Sequence, residues 1–244
     1  MDKKVVENKI RRSVKQVHHR NQKRLDKKTT SFISLRIQYN LSIRNQKTNE
    51  EFQISDIEDY MDESPVALIG GPGAGKSTLL LKMAVQLSEK NLDNCAAMIP
   101  IYVQCGLLSS YDRLEDEIHL SGYSEEEKKY LWENGKLCLL FDGINEAVNV
   151  EMGKLLMDIV NLSEEYPECR YVINCRAIEF PIWASSYFEQ YSILPVKDEQ
   201  IRKQFCKEFG DVTGEKYYTE LINSSHNYLF ELCKNPLLLS LVIR

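Results

Sequence analysis

The run Gly70-Gly71-Pro72-Gly73-Ala74-Gly75-Lys76-Ser77-Thr78 constrains this chain more than any other feature. It fits GxxxxGK[ST] at every fixed position, and chance produces such a match at on the order of 10⁻⁵ per site. Val66 to Ile69, just before it, reads as a short apolar strand. Leu79, Leu80, Met83, Ala84 and Leu87, just after it, recur at helical spacing. Strand, glycine loop, helix is the setting a phosphate-binding loop requires. Glycines let the chain turn sharply and aim successive N–H groups inward. The helix N-terminus adds positive potential where phosphates sit. Lys76 can neutralise β- and γ-phosphate charge, and the Ser77 hydroxyl can ligate Mg²⁺. A dinucleotide-binding fold is disfavoured, because GxGxG runs directly into Lys-Ser and no acidic ribose partner is evident.

The rest of the chain alternates between strands and helices. Candidate strands are 32–39, 97–103, 137–141, 171–175 and 192–194. Helical stretches run 77–87 and 151–163, with one or two more around Gly122 between Arg113 and Trp132. Leu137 to Phe141 is apolar at every position, as expected of a strand covered on both faces. Such alternation predicts an α/β fold with a mostly parallel sheet. From Lys197 the spacing predicts helices at 198–209, 215–223, 226–234 and 236–243, a small helical lid. Asp142, at the end of the apolar strand 137–141, falls on the crevice side of the sheet and can hold Mg²⁺. Glu146 lies four residues on, placed either to polarise a water or as a solvated helix-start acid.

Composition excludes several classes. The chain has 244 residues, 43% of them hydrophobic and 27% charged, which are globular values. The longest apolar runs, such as Leu237 to Ile243, fall far short of the roughly 20 residues of a membrane-spanning helix. Seven cysteines without a CxxC pair predict reduced thiols in a cytoplasmic protein, not a disulfide framework or a zinc site. The net charge of −5 hides an asymmetry: residues 1–30 carry eleven Lys and Arg against three Asp and Glu, and the remainder carries 20 against 33. Val6, Ile10, Val14 and Val17 share a helical face in that basic segment. It reads as an amphipathic head: a solvated helix packing on a neighbouring domain, an adaptor or oligomerisation helix, or a contact for nucleic acid over residues 1–28. A transit peptide is disfavoured by its lysines, its acids and its few serines.

With these motifs together, the stretches ALIGGPGAGKSTLL, LLFDGINEA, VINCR and KNPLLLSLV resemble the NACHT domains of the STAND-class signal-transduction ATPases, especially bacterial NLR-like members. The resemblance spans roughly residues 30–244. It implies an ASCE-type P-loop NTPase with parallel strand order 5-1-4-3-2 and a C-terminal helical lid. The implied organisation is a head at 1–30, an NTPase core at 31–196 and a lid at 197–244. ATP or ADP with Mg²⁺ is the implied ligand, bound at Gly70, Gly71, Pro72, Gly73, Ala74, Gly75, Lys76, Ser77 and Thr78, with the metal at Ser77 and Asp142. Lys76 and Glu146 are the implied catalytic groups. Arg176 resembles a sensor of the γ-phosphate, and Pro236 resembles the lid proline that packs near the nucleotide. Family members commonly read DGxDE at the acidic motif and Thr-x-Arg at the sensor; Asn145 and Asn174 depart from these. Phe52 and Ile54 are candidates for the adenine pocket.

The implied function is an ATP-binding and slowly hydrolysing signalling switch that self-associates on ATP binding, works with sensor or effector proteins and serves in antiviral defence. Family members continue into a winged helix and repeats, so a chain ending at Arg244 reads as a truncated or excised core. A nucleotide-stabilised scaffold with little turnover is the alternative. A small-molecule kinase would want more lid arginines than Arg202 and Arg244.

Overall fold

Strands that carry apolar side chains at every position must be covered on both faces, and Val66–Ile69 and Leu137–Asp142 meet that demand at the centre of one sheet. The computed structural model describes residues 3–31, 42–53, 65–91, 98–223 and 227–243. The expected strand 32–39, Ile54 and Cys95 lie outside the described residues.

Seven strands form the sheet: β1 (Ser42–Asn45), β2 (Glu51–Gln53), β3 (Val66–Ile69), β4 (Ile99–Gln104), β5 (Leu137–Asp142), β6 (Arg170–Cys175) and β7 (Glu189–Ile193). Their order is β2-β1-β7-β3-β6-β5-β4. The pairs β7·β3, β3·β6, β6·β5 and β5·β4 are all parallel. Numbered from the strand before the glycine loop, those five strands run 5-1-4-3-2, as the resemblance implied. The hairpin β1·β2 extends the sheet antiparallel beyond β7, a feature sequence patterning did not indicate.

Side chains alternate across the sheet with the period of two that strands impose. Leu137, Leu139 and Phe141 join Ala67, Ile69, Tyr171 and Ile173 on one face. Cys138 and Leu140 join Val66, Leu68 and Val172 on the other. The first face is covered by helix α5 (Met152–Glu165) through Leu155, Leu156 and Ile159. The second is covered by helix α2 (Lys76–Asn91) through Leu79, Leu80, Met83 and Ala84.

Four further helices, α6 (Asp198–Phe209), α7 (Asp211–Asn223), α8 (Asn227–Cys233) and α9 (Pro236–Val242), pack onto the α2 side. Their Ile201, Phe205, Leu221, Phe230, Cys233 and Leu239 share a core with α2 and the sheet. Helix α7 starts four residues before the expected 215 and runs through Gly214. A Cβ on Gly214 would stand 2.4 Å from the Cys206 Cα, so the glycine is there to let α6 and α7 approach, not to stop a helix.

The basic segment is a 29-residue helix, α1 (Lys3–Ser31), lying along α2 and the edge strand β4. Val6, Ile10 and Val14 are almost fully buried and belong to the same core as β5 and α5. Val17 packs partly against it. The segment expected as a head thus helps to close the sheet's far edge. Between β4 and β5 lie a short α3 (Leu114–Glu117) and α4 (Glu125–Glu133), separated at Gly122. Ser124 and Glu127 form a capping box at the start of α4. The same region holds α1: Lys9 Nζ contacts Glu127 Oε2 at 2.5 Å, and the Tyr123 hydroxyl donates to Ser13 Oγ at 2.7 Å.

Ile10→Ala should cost about 3 kcal/mol, read from the urea midpoint, because it empties a filled site. Val5→Ala on the exposed side of α1 should change stability by less than about 0.5 kcal/mol. The Lys9 ammonium, followed by the Ser124 backbone N–H, holds the Glu127 carboxyl below its ordinary value of 4.5. That contribution is therefore present above about pH 4.5 and is lost as pH falls through the lowered value. Acid titration of unfolding should show this loss, and Glu127→Gln should remove it while keeping an acceptor for the capping box.

Candidate functional site

The C-terminal ends of β3, β5 and β6 bring the expected site residues together on one edge of the sheet. Strand β3 runs into the loop at Gly70, whose N–H donates to the Cys175 carbonyl at 3.3 Å. Helix α2 opens at Lys76. Lys76 Nζ turns back into the loop and donates to the Gly70 and Gly71 carbonyls at 2.7 and 3.0 Å. Its pKa is lowered, first by burial and then by the Arg176 charge. Cys175, Glu146 and Asp142 act on it in the opposite sense. Lys76, Asp142, Glu146 and Arg176 thus share one electrostatic neighbourhood.

Asp142 ends β5 and is held by two donors. Asn174 Nδ2 donates to Asp142 Oδ1 at 2.6 Å, and the Tyr102 hydroxyl donates to Oδ2 over a very short contact. Asn174 is buried, and its own Oδ1 accepts the Gly143 N–H at 2.6 Å. The side chain that departs from the expected Thr therefore clamps Asp142 to the turn that follows it. Burial, then the Asp142 charge, pushes the Tyr102 phenol far up, so it stays a protonated donor. Neither partner of Asp142 was assigned a role from sequence. Asn174 was visible as a departure in the strand-end motif, whereas Tyr102 lies 40 residues away on β4 with no motif to mark it.

Glu146 closes a 3₁₀ turn at Ile144–Glu146 after Gly143, whose φ is +73°. Its carboxylate folds back over Gly143, where a Cβ would stand 2.9 Å from Glu146 Oε2. Arg176 follows β6 and pairs with Glu179 at 3.2 Å. The guanidinium is thus engaged within its own turn while its charge still reaches Lys76.

The lid meets the loop at the start of α9. Pro236 takes the first helical position, where a missing N–H costs nothing. Asn235 caps the helix: its Oδ1 accepts the Leu237 and Leu238 N–H groups at 3.0 and 3.3 Å. Its Nδ2 donates to the Pro72 carbonyl at 2.8 Å. The Leu237 N–H also reaches the Gly73 carbonyl at 3.4 Å. Gly73 has φ +73°, and a Cβ there would stand 2.7 Å from Asn235 Oδ1. Gly73 thus serves both the turn and the close passage of the lid. Asn235 precedes the expected lid proline, and no local pattern marks its contact, because 163 residues separate it from Pro72. Phe52 lies on β2 against Tyr191, with ring centroids 6.1 Å apart.

The donors fit Mg²⁺ held together with a nucleotide. Among the described residues no group of three or more His, Cys, Asp and Glu could hold a metal. Mg²⁺ characteristically takes one or two protein ligands and completes its shell with water and phosphate oxygens. Asp142, at the end of β5, and Ser77, in the first turn of α2, are the oxygen donors that could take that part. Among the described residues no helix is long and apolar enough to cross a membrane.

A glycine loop between a buried strand and a helix, with the acidic strand one place beyond its neighbour in a parallel sheet, defines a P-loop NTPase fold. The model of the NACHT domain matches residues 64–212, more than half of the chain, and the protein belongs to the NACHT family of nucleotide-binding P-loop NTPases. No curated protein matches the sequence. Among solved structures, domain III of the replication initiation protein DnaA from Thermotoga maritima aligns over 78% of both chains at 17% identity and a TM-score of 0.45, a likeness too distant to bear on function.

Asn235→Ala should remove the α9 cap and cost about 1 kcal/mol. Hydrogen exchange should then speed up at Leu237 and Leu238 and across loop 70–75 together. Asn235→Asp should keep the cap and lose only the bond to Pro72.

Proposed function

We propose that the protein binds and slowly hydrolyses Mg·ATP at the Gly70–Thr78 loop, as a nucleotide-driven switch. The observation that carries this reading is the shared electrostatic neighbourhood of Lys76, Asp142, Glu146 and Arg176 beside a loop that the lid also touches. The loop backbone and the N-terminus of α2 receive the phosphates. Lys76, whose partial burial disfavours its charge, gains an anionic partner there in place of two carbonyls. Ser77 and Asp142 hold the metal, which supplies charge neutralisation at the phosphate oxygens. Asn174 and Tyr102 fix both oxygens of Asp142 and so restrict how it presents them. Glu146 orients a water and takes its proton on a carboxylate oxygen. Arg176 reads the outer phosphate by exchanging Glu179 for it. Pro236, placed by Asn235, closes the lid side.

The switch works through the hydrogen bonds between the start of α9 and the loop, in a lid that otherwise packs on α2. Changing loop occupancy alters the Pro72 and Gly73 carbonyls that hold the start of α9, so the lid reports nucleotide state. Self-association on ATP binding, coupling to sensor or effector proteins, action in the cytoplasm and a place in antiviral defence rest on the resemblance to bacterial NLR-like proteins. A scaffold with little turnover is the second reading, favoured by Asn145 at the acidic motif and by the Arg176–Glu179 pair.

Equilibrium binding and single-turnover hydrolysis separate the two. Lys76→Ala should abolish Mg·ATP binding. Glu146→Gln should preserve binding and slow the chemical step about 10²- to 10⁴-fold, as loss of a positioned base does. An unchanged rate in Glu146→Gln supports the scaffold; no binding by the unaltered protein at millimolar Mg·ATP rejects both.

A further inference from the structure

The nucleotide reading leaves the basic face of α1 without a task, and packing turns that face outward. Val6, Ile10 and Val14 mark the buried side of the helix. Arg12, Lys15, His19, Arg20, Lys23 and Lys27 are exposed. Arg12, Lys15, His19, Lys23 and Lys27 follow one another at three or four residues, so they form one stripe opposite the buried side. At the rise of an α-helix the stripe runs about 22 Å along the axis. Between residues 8 and 27 the helix carries eight Lys and Arg and a single carboxylate, Asp26, which accepts from Gln22 Nε2 at 2.8 Å.

On other helices, lysines stand beside a carboxylate one turn away. Lys128 pairs with Glu125, Lys154 with Asp158, Lys203 with Glu199 and Lys234 with Glu231. In α1, none of Arg12, Lys15, Arg20 and Lys23 is in an ion pair with a described residue. Their neighbours one turn away are bases instead: Arg12 precedes Lys15 by three residues, and Arg20 precedes Lys23 and Arg24 by three and four. Like charges at that spacing oppose a helix, and this one is held by its apolar side. An anion long enough to meet several of these charges at once relieves that repulsion.

We propose that the exposed face of α1 binds the phosphate backbone of a nucleic-acid duplex without reading its sequence. Three observations select this partner. A helix that docks on an anionic membrane sinks its apolar side into the headgroup boundary; the apolar side of α1 lies in the core, and Val5 is its one exposed large apolar residue among those described. A single strand is gripped by stacking bases on aromatic rings, and α1 contains no Phe, Tyr or Trp. A rigid helix holds its charges at fixed spacing, which suits the regular phosphates of a duplex. Beyond residue 30 the chain carries 20 Lys and Arg against 33 Asp and Glu, so its body repels a polyanion and confines the contact to α1. Arg12, Lys15, Arg20 and Lys23 supply the contacts, which need neither the glycine loop nor a nucleotide.

The test titrates the full chain, without nucleotide, into short labelled DNA duplexes of two unrelated sequences and reads fluorescence anisotropy. Equal binding to both is expected. Four phosphate contacts give a log–log salt slope of about −3.6, so affinity should fall about 10²-fold between 50 and 200 mM salt. Each of Arg12→Gln, Lys15→Gln, Arg20→Gln and Lys23→Gln should reduce the slope by about one, and the four together should abolish binding. All four positions are exposed, and an unchanged urea midpoint checks that the fourfold variant is folded. No binding at the lower salt, binding that the fourfold variant retains, or a preference for one sequence overturns the proposal. So does a single-stranded oligonucleotide held more tightly than the duplex. Vesicles of phosphatidylserine and phosphatidylcholine are titrated in parallel: binding to them that the four substitutions abolish, with the duplex inert, makes the face a membrane contact and also overturns it.

Discussion

A half-buried ammonium at the edge of an apolar sheet sets the terms for everything around it. Lys76 gives up part of its hydration and is held by two loop carbonyls. Buried charges demand partners, and from three different strands the loop carbonyls and the Asp142 carboxylate favour the ammonium while the Arg176 charge opposes it. Asp142 ends β5, Arg176 follows β6, and the loop itself follows β3. Their meeting depends on β6 lying between β3 and β5, so that the acidic strand stands one place away from the loop strand.

The site is braced from both sides by contacts of long sequence separation. Asn235 joins the first turn of α9 to the loop, using its carbonyl oxygen for the helix and its amide nitrogen for Pro72. Tyr102 and Asn174 hold Asp142 from β4 and β6. At the far edge, α1 buries Val6, Ile10 and Val14 in the core that α5 completes. The strand that carries Tyr102 is thereby kept in place by the most basic part of the chain. Charge on one side of α1 and hydrocarbon on the other allow both roles in a single helix.

Much of this was legible in one dimension because its signals are local. The apolar strand before the loop, the helical spacing after it and the apolar run ending in Asp142 each occupy consecutive residues. Helix α6 matches the expected 198–209, since its start and its glycine stop at Gly210 are both written nearby. Helix α7 was misjudged at its start because Gly214 looks like a breaker in sequence and acts as a spacer in the packed lid. The hairpin of β1 and β2 was missed because a three-residue strand carries too little pattern to stand out. Asn174 looked like a weakened sensor motif, and only its hydrogen bonds reveal a clamp.

The sequence by itself determined that a phosphate loop follows a buried strand, that an acidic residue ends another, and that a basic amphipathic helix precedes them. Those are statements about neighbours along the chain, where spacing and residue type suffice. The tertiary structure alone decided which side chains hold Asp142, that Asn235 ties the lid to the loop, and that α1 closes the sheet with its basic side outward. Each of these joins residues from 32 to 163 positions apart. Such contacts follow from strand order and crossing helices, which local periodicity does not encode.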